Sequence, residues 1–162
     1  MRLLIAIDKA IDLINEFIAS FGIAFGVFLA FFNVISRFVF NKGIDWAFEL
    51  TNYLFIWSAL FGASYCFKKD CHIKVTILVD LLPNKLQNFF SLVANIITLL
   101  YLLAVTYFGY VFIFDPDFGL KASEEISIDL NVPMWIPYLA LPISFLISSY
   151  IVLKKILQQV RK

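Results

Sequence analysis

The stretch from Arg37 to His72, RFVFNKGIDWAFELTNYLFIWSALFGASYCFKKDCH, decides the fold. It closes one long apolar run, passes through a short polar turn, and opens a second apolar run near Trp46 and Glu49. The second run ends in two lysines just before His72. Charged and aromatic residues at the two edges of an apolar run are typical of helices that cross a bilayer. The stretch therefore predicts a helical hairpin in a membrane.

The composition places the whole chain in the same class. Of the 162 residues, 62% are apolar and 15% are charged, and the mean hydropathy is +0.88. A soluble domain is about half apolar and about a quarter charged. The net charge of +1 indicates no nucleic-acid partner. We expect an all-α integral membrane protein with membrane lipids around it.

Four apolar runs without charged residues predict four transmembrane helices. The runs are Phe17–Ser36, Leu50–Phe67, Leu86–Phe114 and Pro133–Leu153. A helix needs about 20 apolar residues to cross the hydrocarbon core. At about 1.5 Å per residue the third run is about 43 Å long, so its helix must tilt. Including flanking residues, we expect spans over about 17–40, 47–67, 86–114 and 133–153, in a single membrane domain over 1–162.

Two further segments show the polar stripe of a helix that lies on a membrane surface. In residues 2–16 the stripe consists of Asp8, Asp12 and Glu16, opposite isoleucines and leucines. In residues 70–83 it begins at His72 and continues at four-residue spacing. We expect interfacial amphipathic helices at both places. Because the first apolar run exceeds the roughly 7–15 residues of a signal-peptide core, it is not expected to be cleaved.

The distribution of basic residues predicts the orientation. Ten of the thirteen lysines and arginines fall on the side that holds both termini and the 70–83 segment. The positive-inside rule places that side in the cytoplasm. The loop 115–132 then lies on the opposite side, with five acidic residues against the single basic residue Lys121.

The chain carries no pattern that predicts a catalytic, cofactor or metal site. There is one histidine, and both cysteines, Cys66 and Cys71, lie near the cytoplasmic border. A zinc or bis-histidine haem site would need more ligands than these residues offer. The four runs also lack the ionisable residues at depth that ion-coupled carriers usually need. Four plain helices without a repeat are typical of an accessory subunit rather than of a self-sufficient carrier. Because no catalytic constellation is present, we expect no enzyme.

An ordered series of residues carries a family resemblance. It consists of Arg37, Trp46, Glu49-Leu50, Tyr53, Trp57, Gly62-Ala63, His72-Ile73-x-Val75, Leu82-Pro83 and the segment Pro133–Tyr138. This series resembles that of the DctQ-like small membrane subunit of tripartite ATP-independent periplasmic (TRAP) transporters, over about residues 15–155. One departure is Phe48, where the family often has the first of two consecutive acids, so only Glu49 is carried over.

The resemblance implies an accessory subunit in the bacterial inner membrane. A periplasmic binding protein captures an organic acid such as a C4-dicarboxylate or sialic acid, and a large membrane subunit moves it with a sodium gradient. The small subunit braces the large one as a heterodimer and helps to dock the binding protein. The candidate partner and assembly residues are Arg37, Trp46, Glu49, Tyr53, Trp57, Gly62 and His72. In the acidic loop we assign docking of the binding protein to Glu124 and Glu125.

Each candidate also has an ordinary structural explanation. Glu49 suits the start of a helix, the tryptophans suit a membrane interface, and Gly62 suits close helix packing. Arg37 either reaches the headgroups or pairs with Glu49 to lock the first hairpin. An alternative function is a small four-helix integral-membrane enzyme or a membrane assembly factor.

Overall fold

In the described part of the chain, helices are joined by a short turn over 41–44 and a long loop over 115–134. The computed structural model describes residues 2–69 and 83–160. Within them β-structure is limited to an isolated bridge between Ile126 and Pro133, so the predicted all-α class is confirmed. The helices are α1 (Arg2–Phe40), α2 (Asp45–Lys69), α3 (Asn84–Phe114), α4 (Trp135–Tyr138) and α5 (Ala140–Val160).

Three helical stretches in the described ranges are long and apolar enough to cross a membrane. They are Asp8–Phe40, Leu86–Phe114 and Trp135–Val160, with 33, 29 and 26 residues. They overlap the first, third and fourth predicted spans, and they make this a multi-pass membrane protein. The second predicted span, 47–67, falls within α2. That helix has 25 residues, but polar side chains such as Asn52 and Ser58 lower its hydropathy, and its crossing of the membrane stays a prediction.

The helices pack side by side in the order α1, α2, α5, α3. α2 contacts α1 along one side and α5 along the other, and α3 packs on α5. In Trp135–Val160, 44% of the residues in the most apolar 18-residue segment are buried, compared with 17% in α1 and 11% in α3. The described helices therefore form an open row, and its outer members α1 and α3 expose most of their apolar side chains.

Small residues bring α1 and α2 close together. A Cβ atom added at Gly22 would lie 2.9 Å from the Oγ atom of Ser58, and one added at Gly26 would lie 2.6 Å from the Phe55 ring. The Ser58 hydroxyl also donates a hydrogen bond to the carbonyl of Ala19. Glycine at a contact between membrane helices permits this approach of the backbones. The four-residue spacing of Gly22 and Gly26 puts both on the face of α1 that meets α2.

The beginning of α1 differs from the expected interfacial helix. The structure has one unbroken helix from Arg2 to Phe40, without the expected turn between residues 16 and 17. The reason lies in the acidic stripe, because Asp8 pairs with Lys154 of α5 and Asp12 pairs with Lys68 of α2. These ion pairs hold the first turns of α1 in line with its remainder. We call this end of the row, defined by the two ion pairs, the lysine end.

The other predicted interfacial helix, over 70–83, lies outside the described residues except for Pro83. There the α3 helix begins, and the backbone N–H of Leu86 donates to the Pro83 carbonyl over 2.8 Å. Proline suits this place because it has no N–H to leave unpaired at the start of a helix.

The turn between α1 and α2 is held by side chains of α1. Asn41 follows the helix with a φ of 52°, a left-handed conformation in which asparagine is enriched. The Asn33 side-chain oxygen accepts from the backbone N–H of Ile44 at 2.8 Å, and the Ser36 hydroxyl donates to the Lys42 carbonyl at 3.0 Å. We call this end of the row, with the turn 41–44 and the loop 115–134, the loop end.

Candidate functional site

Three of the residues in the family series share one face of α2 at the loop end. Glu49, Tyr53 and Trp57 follow each other at four-residue spacing, which places them on one side of a helix. That side faces α4 and the loop that precedes it. The structure therefore brings these three predicted residues together into one site.

The Glu49 carboxylate joins α2 to the loop. Its Oε1 atom accepts a hydrogen bond from the Tyr53 hydroxyl at 2.5 Å. Its Oε2 atom accepts from the backbone N–H groups of Asp129, at 3.1 Å, and Leu130, at 3.0 Å. Hydrogen bonds to an ionised acceptor are stronger than those between neutral groups. One carboxylate thus fixes a turn of the loop that is 80 residues away in the sequence.

Tyr53 and Trp57 extend this connection to the start of α4. The Tyr53 hydroxyl oxygen lies 3.5 Å from the Sδ atom of Met134. The indole N–H of Trp57 donates to the backbone carbonyl of Pro137 at 3.0 Å. The Trp57 ring also stacks on Phe61, with the ring centroids 5.6 Å apart. α2 is therefore joined to the loop and to α4 by polar contacts at three successive turns.

The loop itself forms a small hairpin between Glu125 and Met134. The backbone N–H of Ser127 donates to the Val132 carbonyl at 2.9 Å, and that of Met134 donates to the Glu125 carbonyl at 2.9 Å. The N–H of Val132 donates back to the Ser127 hydroxyl at 3.2 Å. Asn131 completes the turn with a φ of 53°. Both docking candidates, Glu124 and Glu125, are exposed.

Other candidate residues lie apart from this site. Arg37 is exposed at the last turn of α1, and Trp46 is 45% exposed at the first turn of α2. Gly62 contacts α1, where an added Cβ would lie 3.6 Å from the Cβ of Ala19. His72 lies outside the described residues.

The ion pair that we considered between Arg37 and Glu49 is not formed. Both residues belong to the described part of the chain, in which the ion pairs given by the structure join Lys68 to Asp12 and Lys154 to Asp8. Instead, the Glu49 carboxylate takes its hydrogen bonds from Tyr53 and from the loop backbone. The pair was suggested because Arg37 and Glu49 lie on either side of the same turn in the sequence. The loop N–H groups that bind Glu49 instead could not be predicted, because nothing in the sequence marks a particular backbone N–H.

The sequence reasoning also missed a polar contact between α1 and α2 near the lysine end. Asn15, with 1% of its surface exposed, donates through its side-chain N–H to the Ser64 hydroxyl at 3.3 Å. Together with the pair Asp12–Lys68, this contact holds α1 to α2, and the pair Asp8–Lys154 joins α1 to α5. The sequence signal that could have predicted this contact is Asn15 itself, a polar residue one helical turn after Asp12 and at the edge of the first apolar run.

In the described ranges, no group of three or more His, Cys, Asp or Glu side chains is arranged to hold a metal ion. The Glu49 carboxylate binds the Tyr53 hydroxyl and two loop N–H groups, and the Trp57 indole binds the Pro137 carbonyl. The arrangement positions a loop.

Comparison with known proteins gives one consistent family. The sequence profile of the DctQ component of tripartite ATP-independent periplasmic transporters matches residues 26–162. The C4-dicarboxylate TRAP transporter small permease protein DctQ of Vibrio cholerae is 31% identical, over 86% of this chain and 68% of that protein. A putative TRAP transporter small permease protein of Haemophilus influenzae is 28% identical, over 82% and 78%. The sialic acid TRAP transporter permease protein SiaT of Haemophilus influenzae is 26% identical, over 88% of this chain but 22% of that protein.

Proposed function

The chain belongs to the DctQ component family of the TRAP transporters, and we propose that it braces the large membrane subunit and helps to dock the periplasmic binding protein. It is a transporter subunit and not an enzyme, as the sequence predicts. The alternative of a small four-helix membrane enzyme or assembly factor is therefore set aside.

The bracing role rests on the open row of helices. α1 and α3 expose large aromatic side chains, among them Phe28, Phe31, Tyr107 and Phe108, each more than 60% exposed. In a membrane such faces contact either lipid or another membrane protein, because apolar side chains avoid water. The match to SiaT takes up 22% of that protein, which supports a large partner beside the small subunit. We propose that the large subunit covers one face of the row and that lipids cover the rest.

We propose that the transported substrate is an organic acid and that sodium coupling resides in the large subunit. Relatives are named for a C4-dicarboxylate and for sialic acid, both of which carry carboxylates. In this chain Asp8 and Asp12 of α1 pair at the lysine end, and the four apolar runs carry no charged residue. A coupling ion that crosses the membrane is usually met by polar groups at depth.

For topology we propose four transmembrane helices, with α2 as the second, and cytoplasmic termini. Reporter enzymes fused after Lys162 and within 68–85 are expected to report the cytoplasm, and reporters within 115–131 the periplasm. The physical reason is the excess of basic residues on the first side. A periplasmic signal from the C-terminal fusion would contradict this topology. An interfacial helix over 70–83 belongs to the same proposal.

The roles of the candidate residues follow from their places in the fold. We propose that Arg37 and Trp46, both exposed near the loop end, contact the large subunit, and that Gly62 supports the α1–α2 contact. Glu49, Tyr53 and Trp57 shape the loop end from within. His72 remains a candidate for assembly on the cytoplasmic side. Glu124 and Glu125 supply negative charge for docking of the binding protein, which increases the association rate more than the affinity.

Assembly with the large subunit tests the proposal. When the large subunit encoded with this chain is tagged and purified in mild detergent, this chain should copurify in a 1:1 ratio. Trp46→Ala should lower the yield of the complex, whereas Leu157→Ala, at an exposed site on α5 near the lysine end, serves as the matched control. A large subunit that is stable and transports without this chain would contradict the bracing role.

A further inference from the structure

The hairpin at the loop end presents two isoleucines to the outside. Ile126 is 60% exposed and Ile128 is 92% exposed, while Ser127 between them is 3% exposed. The alternation follows from the extended backbone, in which successive side chains point to opposite sides. We call the pair Ile126 and Ile128 the isoleucine ridge. An apolar ridge that the fold turns outward is typical of a surface that meets a partner.

The ridge is held in a fixed position. Hydrogen bonds between Ser127 and Val132 close the hairpin behind the ridge. The Glu49 carboxylate binds the backbone N–H groups of the two residues that follow Ile128. A contact surface that is ordered before binding loses less conformational entropy when the partner arrives. Because Glu49 belongs to α2, the position of the ridge is set by the membrane part of the protein.

Exposed carboxylates surround the ridge. Glu124 and Glu125 precede Ile126, and Asp129 follows Ile128. An apolar centre with a charged rim is the usual anatomy of an interface between proteins. The same rim argues against insertion of the ridge into the bilayer, because the carboxylates would then lose their water. It also suits a partner that arrives and leaves through water, since charged rims increase the association rate.

We propose that the isoleucine ridge is the apolar contact of the docking surface for the soluble binding protein, and that Glu49 is its positioning residue. The matching face of the binding protein is a shallow apolar depression with lysines or arginines around it. This inference rests on the proposed function, in which a binding protein docks on the loop end, and it goes beyond the docking charges Glu124 and Glu125. The large subunit, by contrast, stays bound in the membrane, where the exposed apolar faces of α1 and α3 are available for contact with it.

Binding to the assembled membrane complex tests the ridge. The complex of this chain with its large subunit is placed in nanodiscs, and the labelled binding protein encoded beside them is titrated in low salt. Replacing both isoleucines by serine (I126S/I128S) should weaken binding at least about tenfold, since central apolar contacts carry most of an interface's energy. Val160→Ser, at an equally exposed apolar site near the lysine end, should leave binding unchanged. The amount of large subunit that copurifies should be the same in all variants.

The positioning role of Glu49 has its own test. Glu49→Ala removes the acceptor for both loop N–H groups and should weaken binding as strongly as the double serine variant. Glu49→Gln keeps a side-chain oxygen that accepts hydrogen bonds, and it should restore at least half of the bound fraction. If Glu49→Gln is as weak as Glu49→Ala, the positioning role is overturned.

The possible outcomes separate this inference from the proposed function. If the wild-type complex binds no binding protein, both fail. If the wild type binds and I126S/I128S binds equally well, only the ridge is overturned. A loss of copurified large subunit in I126S/I128S would assign the ridge to that subunit instead. Strong quenching by brominated lipids of the fluorescence that Ile128→Trp adds to that of the three native tryptophans would assign the ridge to the bilayer.

Discussion

The contact between α1 and α2 permits a sharp prediction about three glycines. A Cβ atom added at Gly22 would lie 3.0 Å from the backbone carbonyl oxygen of Leu54 and 2.9 Å from Ser58 Oγ. At Gly26 the nearest atoms belong to the Phe55 ring, at 2.6 Å. At Gly62 an added Cβ would make an ordinary contact of 3.6 Å. Three Gly→Ala variants therefore place the same methyl group in three different surroundings of one interface.

The expected change in the free energy of unfolding is the difference between the gain from the higher helix propensity of alanine and the cost of the steric clash. Alanine is favoured over glycine by about 1 kcal/mol within a helix, and this term is the same at all three positions. A methyl group forced into a packed contact costs about 1–3 kcal/mol. The Leu54 carbonyl is backbone and cannot move aside, whereas the Phe55 ring is a partly exposed side chain that can turn. Gly22→Ala should thus be about 1–3 kcal/mol less stable than Gly62→Ala, and Gly26→Ala should lie between them.

Unfolding in mixed micelles with increasing fractions of sodium dodecyl sulfate measures these differences. Far-ultraviolet circular dichroism follows the loss of helix, and tryptophan fluorescence follows the combined surroundings of Trp46, Trp57 and Trp135. Gly62→Ala is the matched control, because it changes the same interface without a clash. Equal stability of Gly22→Ala and Gly62→Ala would refute the close contact of α1 and α2.

Further predictions concern the loop end. In Glu49→Ala the backbone amides of Asp129 and Leu130 should exchange with deuterium at least about tenfold faster, because a hydrogen bond to a charged group contributes about 1.5–3 kcal/mol; unchanged exchange would contradict the Glu49 contacts. In copurification with the large subunit, Arg37→Ala should lower the yield by the same factor with and without Glu49→Ala, since the two side chains are not paired; a smaller loss in the Glu49→Ala background would restore the ion pair. Trp57→Phe should lower the free energy of unfolding by about 0.5–1.5 kcal/mol through loss of its bond to a backbone carbonyl of α4, and an unchanged value in the micelle titration would speak against that bond.

The positions of the helices were largely predictable, because the length of an apolar run determines them. The run Leu86–Phe114 predicts α3, which the structure gives as Asn84–Phe114. The second span, predicted over 47–67, lies inside α2, which extends two residues further at each end. The break between α4 and α5 was not foreseen from hydropathy, although Pro142, which has no N–H to donate to the Tyr138 carbonyl, is a sequence signal for it. Hydropathy registers the polarity of side chains and not small changes in backbone geometry.

The surroundings of the polar residues were less predictable. The spacing of Asp8 and Asp12 places them on one face of a helix, but it does not say whether that face meets water or other helices. In the structure it meets Lys154 and Lys68. The spacing of such residues is a local property, whereas the identity of their partners depends on contacts between distant parts of the chain.

In the candidate site, too, the spacing of the residues was predictable and their partners were not. The family series selected Glu49, Tyr53 and Trp57, and their four-residue spacing correctly implies one shared face. Their partners are backbone atoms of a loop and of α4, about 80 residues away in sequence. A backbone N–H or carbonyl is present at nearly every position, so nothing in the sequence marks the ones that are used. The isoleucine ridge depends on the same contacts and was likewise visible only in the structure.

The most direct test of the account is uptake by proteoliposomes assembled with and without each component. An inward sodium gradient is imposed, and the uptake of radiolabelled succinate and of N-acetylneuraminate is measured with this chain alone, with the large subunit added, and with the binding protein added to both. The account predicts no sodium-driven uptake by this chain alone, and uptake of an organic acid when all three proteins are present. Sodium-driven uptake by this chain alone would contradict its role as an accessory subunit.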